Sequence, residues 1–395
     1  MKRYGGSMKE KQPHNLWKDK KMEEKLYYLD FNTLESFMRD VFVAAGVPKN
    51  DAATCAEVLI TADKLGIDSH GIGRLKPIYI DRIRDGIQNP KTTVEMIKST
   101  PTTAVYDAHD GMGMVASKQA MQYAIDAAKK YGTGMTAVRN STHYGIAGYY
   151  ALMAAKNNMI GITGTNARPS IAPTFGVENM LGTNPLTFAI PSDEEFPFFL
   201  DCATSVSQRG KIEVYGRAGK ELPPGWVIDE QGNTRTDTIQ ILEDLVKGKA
   251  ALTPLGGLGE ETAGYKGYGY ATVVEILSAA LAQGSFLKGL LGFSPEGKKQ
   301  PYHLGHFFLA INIEAFADPK DFKHTVGEIL RALRNSRKAP GHDRIYTAGE
   351  KEYINYQKRQ TTGVPINRAL QKNIIDLQKD YNLSGYSFEF AADWR

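Results

Sequence analysis

A serine, a histidine and an arginine stand close together early in the chain, in a pattern that suits chemistry on a carboxylate substrate. Ser69, His70 and Arg74 lie in the segment Asp-Ser-His-Gly-Ile-Gly-Arg. If this segment is helical, the spacing of four places His70 and Arg74 on one face. Arginine binds a carboxylate through paired hydrogen bonds, and histidine exchanges protons near neutral pH. The segment therefore predicts a site for a 2-keto acid, or else a surface helix that begins at a capping serine.

Two further candidates follow predicted strands. His143 comes after the strand 135–139, and Asp201 comes after a run of apolar residues. Ligands collect at strand ends in α/β proteins, so His143 can contact a substrate, or it can simply be held by hydrogen bonds of its loop. A carboxylate at the end of a buried strand needs a partner, so Asp201 can orient and charge a catalytic histidine or cap a helix. The neighbouring Cys202 fits a small buried residue better than a nucleophile.

A glycine-rich segment is a candidate for binding an anion. Gly-Tyr-Lys-Gly-Tyr-Gly at 264–269 falls within a predicted loop, 256–270, that leads into a helix over 271–282. Backbone amides and Lys266 at the start of a helix suit a pyrophosphate. No Ser or Thr follows the lysine, so this is not a P-loop. The alternative is a flexible loop with no ligand.

A second glycine pattern resembles a dinucleotide-binding turn. Gly-Met-Gly-Met-Val-Ala at 111–116 follows a predicted strand and opens a helix. A Rossmann site also needs an acidic residue roughly 20 positions further on to hold the ribose. No Asp or Glu occurs between Asp126 and Asn157, although Arg139 can meet a 2′-phosphate instead. We therefore favour a fold other than Rossmann.

The pattern of apolar residues predicts an α/β protein with a helical beginning. Helices are predicted over 33–42, 52–64 and 75–84, and from Thr103 onward strands and helices alternate. The 48 basic and 44 acidic residues nearly balance, which gives no electrostatic case for nucleic acid. No apolar run reaches the roughly 18 residues of a membrane span, and no secretory leader is evident. We expect a cytoplasmic enzyme whose basic extension, residues 1–26, is solvated.

Several motifs together resemble the malate/L-lactate dehydrogenase family, over about residues 28–370. They are Asp-Ser-His-Gly-x-x-Arg at 68–74, Asn-Ser-Thr-His-Tyr-Gly at 140–145, Gly-Thr-Asn-Pro at 182–185, Leu-Asp-Cys-Ala-Thr-Ser at 200–205, Pro-Leu-Gly-Gly at 254–257 and Gly-Tyr-Lys-Gly-Tyr-Gly at 264–269. The resemblance implies a three-layer α/β fold with a mixed seven-stranded sheet, which is not a Rossmann domain. It also implies a helical substrate and dimerisation domain (27–131 plus 310–395) and a cofactor domain (132–309).

The resemblance also assigns roles to residues. It implies that His70 is the proton donor and that Asp201 assists it. It places Ser69, Arg74, His143, Thr183 and Asn184 at the substrate, and Asn166, Asp201, Cys202, Ala203, Leu255, Gly256, Lys266, Gly349 and Glu350 at a nicotinamide cofactor, with no metal. The loop 258–262 and Ala348 depart from the family pattern, which weakens the assignments at Lys266 and at Gly349 and Glu350.

The resemblance implies a homodimer that transfers a hydride between a nicotinamide cofactor and a small 2-hydroxy acid. Malate/oxaloacetate is the first choice, with His143 as the candidate for its distal carboxylate. Lactate, sulfolactate, ureidoglycolate and a cyclic imine stay open, as does a nucleotide-binding scaffold without activity. NAD is preferred as cofactor over NADP, and Arg139, Arg168 or Arg209 can bear on that choice.

Overall fold

The computed structural model describes residues 25–394, so the predicted extension lies almost entirely outside the described residues. The helices are α1 (Phe31–Ala44), α2 (Lys49–Lys64), α3 (Ile72–Arg74), α4 (Asp81–Arg84), α5 (Gly113–Tyr131), α6 (Gly148–Ala155), α7 (Arg209–Arg217), α8 (Thr238–Lys247), α9 (Gly264–Ala279), α10 (Pro319–Asn335), α11 (Glu350–Thr362) and α12 (Arg368–Asp380). A π-helical segment, Leu75–Ile80, joins α3 to α4, and 3-10 turns occupy Leu287–Leu290, Ile313–Ala315 and Glu389–Trp394.

The strands form three sheets. They are β1 (Tyr27–Leu29), β2 (Glu95–Ser99), β3 (Thr103–Asp107), β4 (Thr133–Ser141), β5 (Met159–Thr165), β6 (Leu186–Ile190), β7 (Phe198–Cys202), β8 (Val227–Asp229), β9 (Thr234–Arg235), β10 (Ala250–Leu252), β11 (Leu304–Asn312) and β12 (Val364–Ile366). The main sheet has the order β2-β3-β4-β11-β5-β6-β7, in which only β3 and β4 run parallel. This confirms the mixed seven-stranded sheet.

Helices cover both faces of the main sheet. Along β11 the side chains alternate, so that Gly305 faces the backbone of α9 while Phe308 packs edge-on against Tyr150 of α6. A Cβ on Gly305 would lie 2.1 Å from the Ser278 carbonyl oxygen. Because glycine has no Cβ, α9 can approach the sheet closely at this position. The result is a three-layer arrangement of helix, sheet and helix, as predicted.

A helical layer of α1, α2 and α12 packs against this body. The buried faces of α1 and α2 share one apolar core with α5, α6 and α12. The short strands β1 and β12 pair antiparallel, which ties the first described residues to the region just before α12. The second core is smaller and lies around the β8–β10 sheet, α7 and α8.

The predicted domain boundaries do not follow the main sheet. The division at 131/132 separates β3 from β4, its parallel neighbour, and the division at 309/310 falls inside β11. A continuous ladder of backbone hydrogen bonds crosses both positions, so the sheet is one unit. Among residues 25–394, no helix is both long and apolar enough to cross a membrane.

Candidate active site

The turn between α2 and α3 is held in place by a buried carboxylate. Asp63 is 1% exposed, and its Oδ2 accepts the backbone N–H of Ile72 at 2.8 Å. A Cβ on Gly71 would lie 1.8 Å from Asp63 Oδ1, so only glycine lets the turn pass over the carboxylate. Burial raises the pKa of Asp63 to about 8, against the opposing hydrogen bond from Ile72. This local packing fixes where the backbone of His70 lies.

His70 is partly buried and lies close to the cation Arg74. Its Nδ1 lies 2.8 Å from the Ser69 hydroxyl. Burial, assisted by the charge of Arg74, lowers the pKa of His70 to about 4. Arg74 donates from Nε to the carbonyl oxygen of Ser69. The predicted trio is therefore brought together, and His70 is a neutral base at pH 7.

His143 stacks on His70 and has a defined tautomer. The two rings are 5.8 Å apart with an interplanar angle of 18°. His143 Nδ1 accepts the backbone N–H of Gly145 at 3.2 Å and lies 2.7 Å from the hydroxyl of Tyr79. Because a backbone N–H can only donate, Nδ1 is the acceptor and the proton of the neutral ring resides on Nε2. Burial, followed by the charges of His70, Arg82 and Arg74, keeps the pKa of His143 well below its ordinary value.

A cavity of about 550 Å³ joins several predicted residues. Its lining includes Ser69, His70, Thr183, Asp201 and Ala203. The two halves of this lining come from the helical layer and from the end of β7, so the cavity lies where the two parts of the fold meet. Such a recess, with polar side chains that converge from both sides, has the properties of a site for a small polar molecule.

Asp201 shares the cavity with His70 but does not hydrogen-bond to it. Its Oδ2 accepts the backbone N–H of Gly148 at 2.7 Å, and its Oδ1 accepts the Thr187 hydroxyl at 2.9 Å. Burial raises its pKa above the ordinary value, although both of these hydrogen bonds favour the charged form. The hydrogen-bond partners of Asp201 lie on α6 and β6, and its assistance to His70 stays a prediction.

The residues predicted to hold a cofactor form a second group beside this cavity. The segment after β7 runs along 253–255, where Leu255 N–H bonds to the Thr204 carbonyl oxygen at 2.8 Å. Gly267 packs on the backbone of Leu255, so the first turn of α9, which carries Lys266, lies against the same segment. The hydroxyls of Ser205 and Ser207 are buried there and have no hydrogen-bond partner among residues 25–394. A polyanionic cofactor fits this place, because the two hydroxyls can donate hydrogen bonds to it. The exposed Lys266 and the backbone amides at the start of α9 also favour an anion.

The glycine motif at 264–269 is helical and not a loop. α9 begins at Gly264, where a Cβ would lie 2.0 Å from the Gly257 carbonyl oxygen. Gly256 has φ 101°, which favours glycine in the turn that precedes it. The prediction of a loop up to Tyr270 was wrong. Gly264 and Gly267 do not make the segment flexible but allow the backbone of a helix to lie close to the backbone beside it.

Two of the predicted site residues, Asn184 and Asn166, make hydrogen bonds within the fold. Asn184 is fully buried; its Nδ2 donates to the Ala271 carbonyl oxygen and to Glu275, and its Oδ1 accepts from Ala167 N–H. Asn166 is also fully buried and binds the backbone of Ser285 and Gly305. Their side-chain groups are taken by these bonds, which join β5, β6 and β11 to α9. The assignment of Asn184 to the substrate and of Asn166 to the cofactor stays a prediction.

The remaining predicted residues lie at the edge of the site. Gly349 has φ 95° and packs on the backbone of β7 at Phe199. The buried carboxylate of Glu350 accepts from Arg344 and, at 3.1 Å, from Thr347 N–H. Glu350 therefore shapes its own loop, and a cofactor contact in this region stays a prediction. Cys202 is partly buried, and its thiol lies 3.8 Å from the Leu186 carbonyl oxygen.

Sequence reasoning missed three contributors to the site: Asp63, Tyr79 and Arg82. All three lie in segments whose apolar spacing is that of an ordinary amphipathic helix. Their partners are distant in the sequence or lie in the next turn of the chain, so the spacing does not reveal them. The π-helical segment that carries Tyr79 is a departure often found at functional sites, and the apolar spacing does not reveal it. Among residues 25–394, no group of three or more His, Cys, Asp or Glu could hold a metal ion.

Comparison with known proteins gives consistent matches over most of the chain. The family model described as malate/L-lactate dehydrogenase matches residues 29–375. A malate dehydrogenase of Pyrococcus horikoshii is 42% identical, with 89% of this chain and 95% of that protein covered. An L-sulfolactate dehydrogenase of Methanocaldococcus jannaschii is 39% identical over 87% of this chain and 94% of that protein. The crystal structure of malate dehydrogenase from Entamoeba histolytica superposes with a TM-score of 0.88 at 45% identity, covering 93% of this chain and 100% of that one.

Proposed function

The chain belongs to the malate/L-lactate dehydrogenase family, and we propose that it interconverts malate and oxaloacetate with NAD as cofactor. It is an enzyme of the 2-hydroxy acid dehydrogenase type. The observation that carries the proposal is the neutral His70, stacked on His143 and flanked by Arg74, at a cavity shared with Asp201. The malate dehydrogenases of two Pyrococcus species, at 42% and 41% identity, support the choice of substrate.

In the proposed oxidation, His70 acts as the base. Arg74 binds the C1 carboxylate of the hydroxy acid, and His70, which is unprotonated at pH 7, accepts the proton of the C2 hydroxyl. A nicotinamide cofactor held by the segment Asp201–Ala203, the turn Leu255–Gly256 and Lys266 would supply the acceptor for the hydride of C2. His143 presents Nε2–H, which can hold the substrate oxygen without changing its own charge.

In the reverse direction, His70 must carry a proton. The positive charge of Arg74 opposes this in the free protein. A bound carboxylate neutralises that charge and favours the protonated imidazole, which then protonates the carbonyl oxygen. Asp201 lines the same cavity, and its negative charge would favour the protonated form of His70. Ser69 holds Nδ1 of His70 and so aims Nε2 at the substrate.

We propose that the cofactor lies along the segment Asp201–Ala203, the turn Leu255–Gly256 and Lys266. The unpartnered hydroxyls of Ser205 and Ser207 support this placement, as does the start of α9 beside them. Thr183 lines the cavity between this segment and His70, at the expected junction of cofactor and substrate. NAD is preferred over NADP, and NADP is the alternative that the assay below includes.

We also propose a homodimer. Large apolar side chains are exposed along α9 and just after it: Tyr270 (57%), Val273 (46%), Ile276 (54%) and Phe286 (62%). Ile276 and Phe286 line a groove of about 610 Å³ that Pro173, Met180 and Leu181 complete. Exposed patches of this kind on a folded protein mark interaction surfaces. A second copy of the chain is the occupant expected for this family.

The experiment is a direct assay of turnover. Purified protein is mixed with oxaloacetate and NADH, and with NADPH in parallel, and the loss of nicotinamide absorbance is followed. Oxaloacetate-dependent oxidation supports the proposal, and the faster cofactor gives the preference. No turnover with either cofactor refutes the malate assignment. Pyruvate, 3-sulfopyruvate and a cyclic imine then test the alternatives within the family, and cofactor binding without any turnover would indicate a scaffold.

A further inference from the structure

His306 is a fully buried histidine that the proposed reaction does not use. It lies on β11, the central strand of the main sheet, and its exposed fraction is 0%. Its Nδ1 lies 2.7 Å from the hydroxyl of Thr165 on β5, and its Nε2 lies 2.8 Å from the hydroxyl of Ser141 on β4. One imidazole therefore joins the ends of the two neighbouring strands.

The hydrogen bonds around Thr165 fix the tautomer of His306. The Thr165 hydroxyl donates to backbone carbonyl oxygens, with distances of 2.8 Å to Asn166 and 2.9 Å to Gly305. Because a hydroxyl has a single hydrogen, it accepts from His306, so Nδ1 carries the proton and Nε2 accepts from Ser141. Burial lowers the pKa of His306 to about 3, which agrees with a neutral ring.

An irregularity in β11 precedes His306. Along β4, Leu304 is paired with Ser141 but His306 is paired with Val138, so the register shifts between the two. A bulge re-aims a side chain and is common beside active sites. The imidazole of His306 reaches Ser141, which is three residues beyond the backbone partner of His306 on β4.

The contacts of His306 lie on both sides of His143 in the sequence. Ser141 comes two residues before His143. Tyr144 comes directly after it, and its ring stacks on the His306 imidazole with centroids 4.5 Å apart and an angle of 3°. The His143 ring in turn stacks on His70 at 5.8 Å. A displacement of the His306 imidazole would therefore move the backbone from which the His143 side chain projects.

We propose that His306 is a positioning residue that fixes the end of β4 through Ser141, so that the Nε2–H of His143 meets the substrate oxygen. This inference rests on the proposed function, in which His143 holds that oxygen. The hydrogen bond to Ser141 carries the effect rather than the volume of the ring. A hydrogen bond constrains both distance and angle, whereas apolar packing is non-directional.

Two substitutions at His306 separate the hydrogen bond from the packing. His306→Gln can place its Oε1 where Nε2 accepts from Ser141, but it loses the ring. His306→Phe keeps a ring against Tyr144 and loses the hydrogen bond. We expect kcat/KM for malate to fall less than about tenfold in His306→Gln and about ten- to hundredfold further in His306→Phe. A packing role predicts the opposite order, because Phe preserves the aromatic ring and its contact with Tyr144.

Ser141→Ala removes the same hydrogen bond without changing His306, and it tests the proposal even if a His306 variant does not fold. Thr136→Val is its matched control on β4, because Thr136 is 1% exposed and its hydroxyl donates to the Ala120 carbonyl oxygen at 3.1 Å. The two variants should have similar melting temperatures. Only Ser141→Ala should lower kcat, by about three- to thirtyfold, while the KM for the nicotinamide cofactor changes less than about threefold.

Nitrogen NMR signals of isotope-labelled histidine side chains give a readout that does not need turnover. The signal of His143, assigned by its loss in His143→Gln, should be the same in the wild type and in Thr136→Val. It should shift or broaden in Ser141→Ala and in His306→Phe. If the wild type turns over no 2-hydroxy acid, the proposed function fails and this signal alone decides the inference.

Three results would each overturn the inference. The first is that His306→Phe is at least as active as His306→Gln. The second is that Ser141→Ala keeps the kcat of Thr136→Val. The third is that the His143 signal is unchanged in both Ser141→Ala and His306→Phe.

Discussion

At the scale of single residues, the proposed role of His70 in proton transfer predicts a loss of activity on substitution and a defined pH dependence. His70→Ala should lower turnover about 100- to 10,000-fold, the usual contribution of general acid–base catalysis, while cofactor binding is kept. Oxidation needs the unprotonated imidazole. Because the pKa of His70 is lowered to about 4, kcat/KM for malate oxidation should decline only as the pH falls towards about 4, well below the ordinary histidine range.

The measurement is a pH profile of malate oxidation, with nicotinamide fluorescence as the control for cofactor binding. A fully active alanine variant would remove His70 from the mechanism. An acid limb near pH 6.5 in the wild type would show that His70 is not held neutral by burial and by Arg74.

Tyr79 is predicted to act through His143. Its hydroxyl donates to Nδ1 of His143, which together with Gly145 N–H holds the ring with its proton on Nε2. Tyr79→Phe removes one neutral hydrogen bond, so kcat/KM should fall about two- to tenfold. Tyr150→Phe is the control, since this buried hydroxyl in the same core binds the carbonyl oxygen of Tyr144 at 2.5 Å.

Steady-state kinetics and thermal unfolding of both variants distinguish positioning from packing. Tyr79→Phe should lose activity at a melting temperature similar to that of Tyr150→Phe. Equal activities of the two variants would mean that Tyr79 serves packing alone.

At the scale of elements, the contact between α9 and the 253–255 segment should govern cofactor affinity. A Cβ on Gly267 would lie 2.1 Å from the Leu255 carbonyl oxygen, so Gly267→Ala forces the start of α9 away from the proposed cofactor segment. We expect a KM for the cofactor raised at least about tenfold and a free energy of unfolding lowered by about 1–3 kcal/mol, as for other overpacked sites.

Gly269→Ala is the matched control on the same helix. No atom lies within 4 Å of a Cβ at Gly269, so this substitution should leave the KM unchanged and stabilise the helix by about 0.5–1 kcal/mol. Chemical denaturation and kinetics measure both quantities. If Gly267→Ala behaves as Gly269→Ala does, then the close approach of α9 to Leu255 has no part in cofactor binding.

The elements also show what the sequence could predict. Helices with a clear apolar stripe, such as α1 and α2, and the strand β4 were predicted within a few residues. The central strand β11 was missed, because a short run buried on both faces has no periodicity that separates it from a helix. The start of α9 was missed because glycine usually signals a loop, whereas here it permits contact between backbones.

The same distinction applies to the site. Residue types and spacing identified Ser69, His70 and Arg74, which the structure brings together. Asn166 and Asn184 were assigned to ligands, yet their amides bind backbone groups and Glu275. A sequence shows which side chains can make hydrogen bonds, but the partner that satisfies a buried amide depends on the tertiary fold.

At the scale of the whole molecule, the site depends on one seam between the helical layer and the sheet. Arg359 of α11 holds the turn after α2 at one side of this seam, with hydrogen bonds of 2.6 and 2.9 Å to Asp68 and one of 2.6 Å to the Asp63 carbonyl oxygen. It therefore fastens the turn that carries His70 to the C-terminal part of the chain. The pairing of β1 with β12 makes a second connection between the two ends of the described chain. The turn that carries His70 is therefore held by a contact between Arg359 and Asp68, which are 291 positions apart in the sequence.

The exposed apolar surface of α9 leads to a prediction about assembly. If a second copy covers this surface, Ile276→Asp places a charge in the interface and should convert the dimer to a monomer. Ile329→Asp on α10 is the control, because Ile329 is equally exposed at 54% but lies on another helix. Size-exclusion chromatography with light scattering measures the mass of each variant. A monomeric wild type would refute the dimer, and a dimeric Ile276→Asp variant would place the interface elsewhere.

Since α9 also bears Lys266, the monomer should bind the cofactor more weakly, which would connect assembly to activity.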